Sequence, residues 1–126
     1  MRLLLYATAG GAIGTAARHL VNEGFGRWLG AGFPWSTLFV NVVGGLLMGA
    51  LIEALALRFD GSIELRTFLA TGILGGFTTF SAFSMDAVLL MQRGETATAA
   101  LYIGASVLLS ILALLAGLWL TRIVLT

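Results

Sequence analysis

Residues 72–84 read Gly72-Ile73-Leu74-Gly75-Gly76-Phe77-Thr78-Thr79-Phe80-Ser81-Ala82-Phe83-Ser84, in the middle of a stretch otherwise apolar enough to cross a bilayer. Paired glycines and paired threonines weaken a helix there, at a depth where lipid offers no hydrogen bonds to freed backbone groups. Non-helical backbone survives at that depth only where protein buries it or where it lines a cavity. The segment therefore predicts a helix broken near residues 75–79, with bare carbonyls that suit a cation. Phe80 and Phe83 follow three residues apart, on one helical face. A break, hydroxyls and paired aromatics together point to a permeation pathway.

The surroundings fix the environment. The 126-residue chain is 59% hydrophobic and 10% charged, with a mean hydropathy of +1.00, outside the range of soluble domains. A transmembrane helix takes ~20 apolar residues. Four such stretches can be drawn, at about 3–29, 36–57, 65–90 and 97–124, with short connections at 30–35, 58–64 and 91–96. The expectation is an all-α membrane protein, a single four-helix transmembrane domain over residues 1–126. The first stretch is too long for the apolar region of a signal peptide and carries Arg18 internally. Without cysteine there is no disulfide framework and no thiolate chemistry. No nucleophile arrangement, metal-ligand cluster or phosphate loop is present, so no enzymatic activity is expected.

Four spans put Arg2, Arg58, Arg66 and Arg122 on one side, and Arg27 and Arg93 on the other, joined by Arg18 if it snorkels outward. So even a split gives little preference under the positive-inside rule. Two arrangements stay open: copies inserted both ways and paired antiparallel, or one weakly biased orientation. Four helices make a thin wall, which argues for an oligomer. The pairs Gly10/Gly14, Gly26/Gly30, Gly45/Gly49 and Gly72/Gly76 have the small-xxx-small spacing that lets helix backbones approach.

Polar residues inside the spans are few. Asn41 lies about two turns into the second helix, sharing a face with Thr37, Gly45, Met48 and Ile52. It either locks the bundle through an interhelical hydrogen bond or offers an amide donor to an anion. Thr98, Tyr102, Ser106 and Ser110 recur at steps of four on the last helix, a hydroxyl stripe on an apolar surface. Arg18 aligns with Gly11, Gly14, Thr15 and Asn22, which turns it toward protein or a wet vestibule, where its charge would draw anions in. His19 reads as interfacial, Glu53 and Asp86 as carboxylates near helix ends that reach the interface, and Trp28, Trp35 and Trp119 as an aromatic belt.

The run Thr37-Leu38-Phe39-Val40-Asn41-Val42-Val43-Gly44, followed by residues 75–84, resembles the small bacterial fluoride channels of the Fluc/CrcB family. The glycine-rich first helix with Arg18 and the Tyr102/Ser106/Ser110 stripe are similar too, so the likeness spans the chain. The resemblance implies a dual-topology, antiparallel homodimer in a bacterial cytoplasmic (inner) membrane, with fluoride pores along the subunit boundary. It implies a structural sodium ion at the dimer centre, held by the carbonyls of Gly75 and Thr78 from each copy. It assigns the fluoride pathway to Asn41, Phe80, Phe83, Tyr102, Ser106 and Ser110, with Thr79 and Ser81 as additions. Ala82 stands where many relatives carry threonine and receives no role. The expected partners are fluoride, a second copy of the chain and the lipid bilayer, with no nucleic acid.

The chemistry of that reading is coherent. Fluoride is small and strongly hydrated, so a dry pore must replace its water with donors. Hydroxyls and an amide donate without trapping the ion as a cationic side chain would. Phenylalanine rings carry a positive edge, and conduction needs sites weak enough to leave. A small dual-topology multidrug exporter is the main competitor, but it needs a membrane-embedded carboxylate, and the middle of the first helix has none. A non-transporting assembly subunit would explain the glycine pairs but not the Thr-Thr-Phe-Ser break.

Overall fold

The computed structural model describes residues 1–30, 32–58 and 62–126, so the connections expected at 30–35 and 58–64 lie partly outside the described residues. All described secondary structure is helical. Helix α1 runs Arg2–Leu29 and α2 Trp35–Leu57. Helix α3 covers 63–77 in three parts: an α-helical turn Ile63–Arg66, a π-helical stretch Thr67–Leu74, and a final turn Gly75–Phe77. Helix α4 runs Phe80–Gln92 and α5 Thr96–Leu125. Local signals account for the ends of α4. Thr79 caps its start, and Gly94, at φ 80°, closes its end with Gly94 N donating to Met91 O at 3.0 Å and Glu95 N to Leu90 O at 2.9 Å.

Among the described residues, three segments are long and apolar enough to cross a membrane: Trp35–Leu57, Ile63–Gln92 across the break, and Thr96–Leu125, at hydropathies of 2.0, 1.5 and 2.3. Helix α1 has the length, at 28 residues, but Arg2, Arg18, Glu23 and Arg27 dilute its apolar character, and it is not among the three. The expected third span of 65–90 is longer in the structure, 63–92, and divided.

Two helix pairs organise the bundle, and glycines set both. Gly10 and Gly14 of α1 lie directly on the backbone of α3. A Cβ at Gly10 would stand 2.9 Å from the Gly72 Cα and the Ile73 N. Helix α2 packs on α5 in the same manner, with Gly45 and Gly49 against the backbone of Ser110 and Leu114, and Gly117 against Leu46. Gly26 and Gly30, with the same spacing, have nothing within 4 Å of the added atom. Between α4 and α5 a cluster of Phe83, Ala87, Leu90, Ala99 and Tyr102 forms a buried core, with Phe33 and Leu38 packed against it. Leu101, Leu108, Ile111, Leu115 and Trp119 stand outward on α5, an apolar surface of the kind lipid would cover.

The far ends of α2 and α5 are tied by an ion pair. Arg122 donates through Nε to Glu53 Oε1 at 3.3 Å and through a terminal nitrogen to Oε2 at 3.2 Å. Glu53 was expected to reach the interface; its side chain is instead only 9% exposed, while Arg122 is 59% exposed. Proximity of the arginine from a helix 69 residues distant explains the difference. The two partners are therefore unequal. Arg122→Leu strands a buried carboxylate and is expected to cost about 3 kcal/mol, whereas Glu53→Gln frees an arginine that water already solvates and costs much less. Melting temperatures of the two variants in detergent would order them.

Candidate functional site

The break is narrower than the glycine and threonine pairs suggest. Gly75 and Gly76 stay helical, and only Thr78 (φ −89°, ψ 158°) and Thr79 (φ −154°, ψ 120°) are extended. Gly76 serves close packing: a Cβ there would lie 2.6 Å from Gly11 O. The β-branched threonines supply the extended conformation.

Backbone groups freed at this point find side-chain partners from three directions. From α2, Asn41 accepts the Thr79 N–H at Oδ1 (2.8 Å) and donates through Nδ2 to Thr79 O (3.0 Å). The Thr79 hydroxyl accepts the Ala82 N–H at 3.1 Å. From α1, the half-buried Arg18 donates through Nε to Gly76 O at 3.1 Å. Of the two readings of Asn41, the interhelical hydrogen bond is therefore present. In an unbroken helix the Thr79 N–H would bond Gly75 O, and the Ala82 N–H would bond Thr78 O. Both donors are diverted, and among the described residues neither carbonyl receives a backbone N–H.

Beside the break lies a cavity of about 420 Å³, lined by Asn41, Thr79, Phe80, Phe83, Ser106 and Ser110 along with apolar neighbours. Its polar lining consists of an amide and hydroxyls; among the described residues no charged side chain reaches it. Phe80 is 77% exposed and Phe83 8%, and their rings meet with centroids 5.4 Å apart. The Ser106 hydroxyl oxygen is buried and has no hydrogen-bond partner among the described residues. A buried unpaired hydroxyl carries a desolvation cost, and Ser106 is one of the residues lining the cavity.

Tyr102 and Ser81 do not line this cavity. Tyr102 is fully buried behind Phe83, ring centroids 5.3 Å apart, and its hydroxyl donates to Asp86 Oδ2 at 3.1 Å. Ser81 is exposed, with its hydroxyl 3.3 Å from that of Thr79. Asp86 faces a second cavity of about 440 Å³, shared with Asn22, Ser36 and Arg93. The chain Phe83, Tyr102, Asp86 thus leads from one cavity to the other. Asp86 was expected to be solvated near a helix end; its partnership with Tyr102 depends on how α4 lies on α5, and no local sequence signal carries it. His19 is exposed and paired with Glu23 at 3.0 Å, consistent with an interfacial place.

Comparison with known proteins bears on this site. The family model described as "CrcB-like protein, Camphor Resistance (CrcB)" matches residues 5–118. A protein of Chelativorans sp. (strain BNC1) named "Fluoride-specific ion channel FluC" is 55% identical over 122 residues, covering 97% of this chain and 98% of that protein. Proteins of the same name from Agrobacterium fabrum and Nitrobacter winogradskyi are 53% identical over 122 residues (97% of each chain) and 50% identical over 121 (96% of each).

Proposed function

Because this chain belongs to the CrcB family, we propose that it is a fluoride-specific channel, a multi-pass protein of the bacterial inner membrane that lets fluoride leave the cytoplasm passively. The observation that carries the reading is the cavity at the break. Ser106, Ser110 and Asn41 line it and are the candidate donors, no cationic side chain among the described residues reaches it, and Phe80 and Phe83 stand along it. Such donors can replace fluoride's water without holding the ion fast. The ring edges of the phenylalanines add weak positive potential. The carboxylates a proton-coupled exporter would use already have partners, Glu53 in Arg122 and Asp86 in Tyr102.

All four long helices cross the membrane in this reading, with α1 carried by its packing on α3. Phe80 projects almost bare from one copy, so a second, antiparallel copy would complete the wall. The carbonyls of Gly75 and Thr78 fit a structural sodium ion. They are neutral oxygens without helical donors, and a hard cation takes oxygen ligands. Two copies would supply four such oxygens. A bound cation there would partly offset the anion's desolvation.

Fluoride release from liposomes holding the purified protein, read with an ion-selective electrode beside a chloride control, tests the reading. Fast fluoride release with little chloride release is expected; none from folded protein would refute it. Phe80→Ile keeps an apolar side chain where a second copy would pack and removes the ring edge, so the melting temperature should fall only slightly. Its fluoride release should fall roughly tenfold, the effect of about 1.4 kcal/mol at a barrier. Ser106→Ala should show the same split more sharply. Loss of an unpaired buried hydroxyl holds or raises stability by about 1 kcal/mol, while fluoride release falls as a donor to a charged acceptor disappears.

A further inference from the structure

We propose that Asn41 and Thr79 are positioning residues for the cation, acting by capturing the two N–H groups that would otherwise close over the carbonyls of Gly75 and Thr78. The proposal rests on the sodium reading above and deepens it. The register of the captures carries the argument. A helix pairs each carbonyl with the N–H four residues on. Asn41 Oδ1 takes the Thr79 N–H, the helical donor of Gly75, and Thr79 Oγ1 takes the Ala82 N–H, the helical donor of Thr78. The carbonyl of Gly76, which lies between them in sequence, is closed instead by Arg18. Three side chains thus sort the carbonyls of the break: those of Gly76 and Thr79 are occupied, and those of Gly75 and Thr78 are left without their helical donors.

Asn41 has a second consequence. Its amide nitrogen bears two hydrogens, of which one serves Thr79 O. The residue also lines the cavity assigned to the anion. One side chain therefore touches both sites, so occupancy of the carbonyls by a cation and the aim of the remaining amide hydrogen are mechanically linked.

The test titrates sodium, with N-methyl-D-glucamine as the replacement cation, against the melting temperature of the purified full chain, and against fluoride release in parallel. The variants are Thr79→Val, which keeps the shape and loses the acceptor, and Thr79→Ser, which keeps the acceptor. Wild type and Thr79→Ser are expected to share one sodium midpoint for thermal stabilisation, with Thr79→Val displaced at least tenfold upward. An unchanged midpoint in Thr79→Val overturns the proposal. Should Thr79→Val not fold, Asn41→Asp retains the oxygen that accepts the Thr79 N–H. It should keep the wild-type sodium midpoint or lower it while fluoride release falls, and a raised midpoint overturns the proposal. Wild-type protein that releases fluoride without any sodium-dependent stabilisation overturns the sodium reading and this inference together, and leaves the channel reading intact.

Discussion

Gly14→Ala is expected to cost about 3 kcal/mol, the upper end of ordinary overpacking, while Gly26→Ala on the same helix costs nothing. A Cβ at Gly14 would overlap the Ile73 carbonyl oxygen and stand 2.8 Å from the Phe77 N and 2.9 Å from the Ile73 carbonyl carbon. All of these are backbone atoms, so no rotamer change can make room. Helix α1 would have to lift from α3 at the turn just before the break, loosening the approach of Arg18 to Gly76 O as well. At Gly26 nothing lies within 4 Å, and alanine gains the usual preference over glycine inside a helix, about 0.5–1 kcal/mol. The melting temperatures of the two variants in detergent should move in opposite directions. A Gly14→Ala protein as stable as wild type would show that the α1–α3 approach is looser than described.

Asn41→Leu is expected to lose comparable stability for another reason. Leucine keeps the branched outline but offers nothing to the Thr79 N–H and C=O, which now bond the amide at 2.8 and 3.0 Å. Each buried backbone group left without a partner costs about 1–3 kcal/mol, so the two together cost about 2–6 kcal/mol. An asparagine serving only the anion would leave stability unchanged on substitution and alter flux alone. Melting temperature, and hydrogen exchange at the Thr79 amide, separate the two roles. Faster exchange with a lowered melting temperature is the expected pair.

Features that depend on local runs are readable in the chain. The apolar stretches at 36–57 and 97–124 match helices Trp35–Leu57 and Thr96–Leu125 to within a residue at each end. Asn41, Phe80, Phe83, Ser106 and Ser110 line one cavity, a grouping that the family resemblance implied and that spacing on separate helices does not give. Features set by a distant neighbour are not readable. Gly10/Gly14 and Gly26/Gly30 have identical spacing, yet only the first pair meets another helix. The enclosure of Glu53 depends on Arg122, and the bond of Asp86 depends on Tyr102. The π-helical stretch Thr67–Leu74 announces itself by no residue pattern. Gly75 and Gly76, natural suspects for a break, remain helical because backbone crowding from α1, not conformational freedom, is what calls for a small residue at Gly76.

The bond from Arg18 to Gly76 O also orders events during biogenesis. An arginine at mid-helix opposes insertion by about 2.5–3.5 kcal/mol, and α1 is the long helix that falls short of a spanning hydropathy. The carbonyl that satisfies Arg18 is synthesised 58 residues later. Stable placement of α1 in the bilayer is therefore expected to depend on α3 being present beside it.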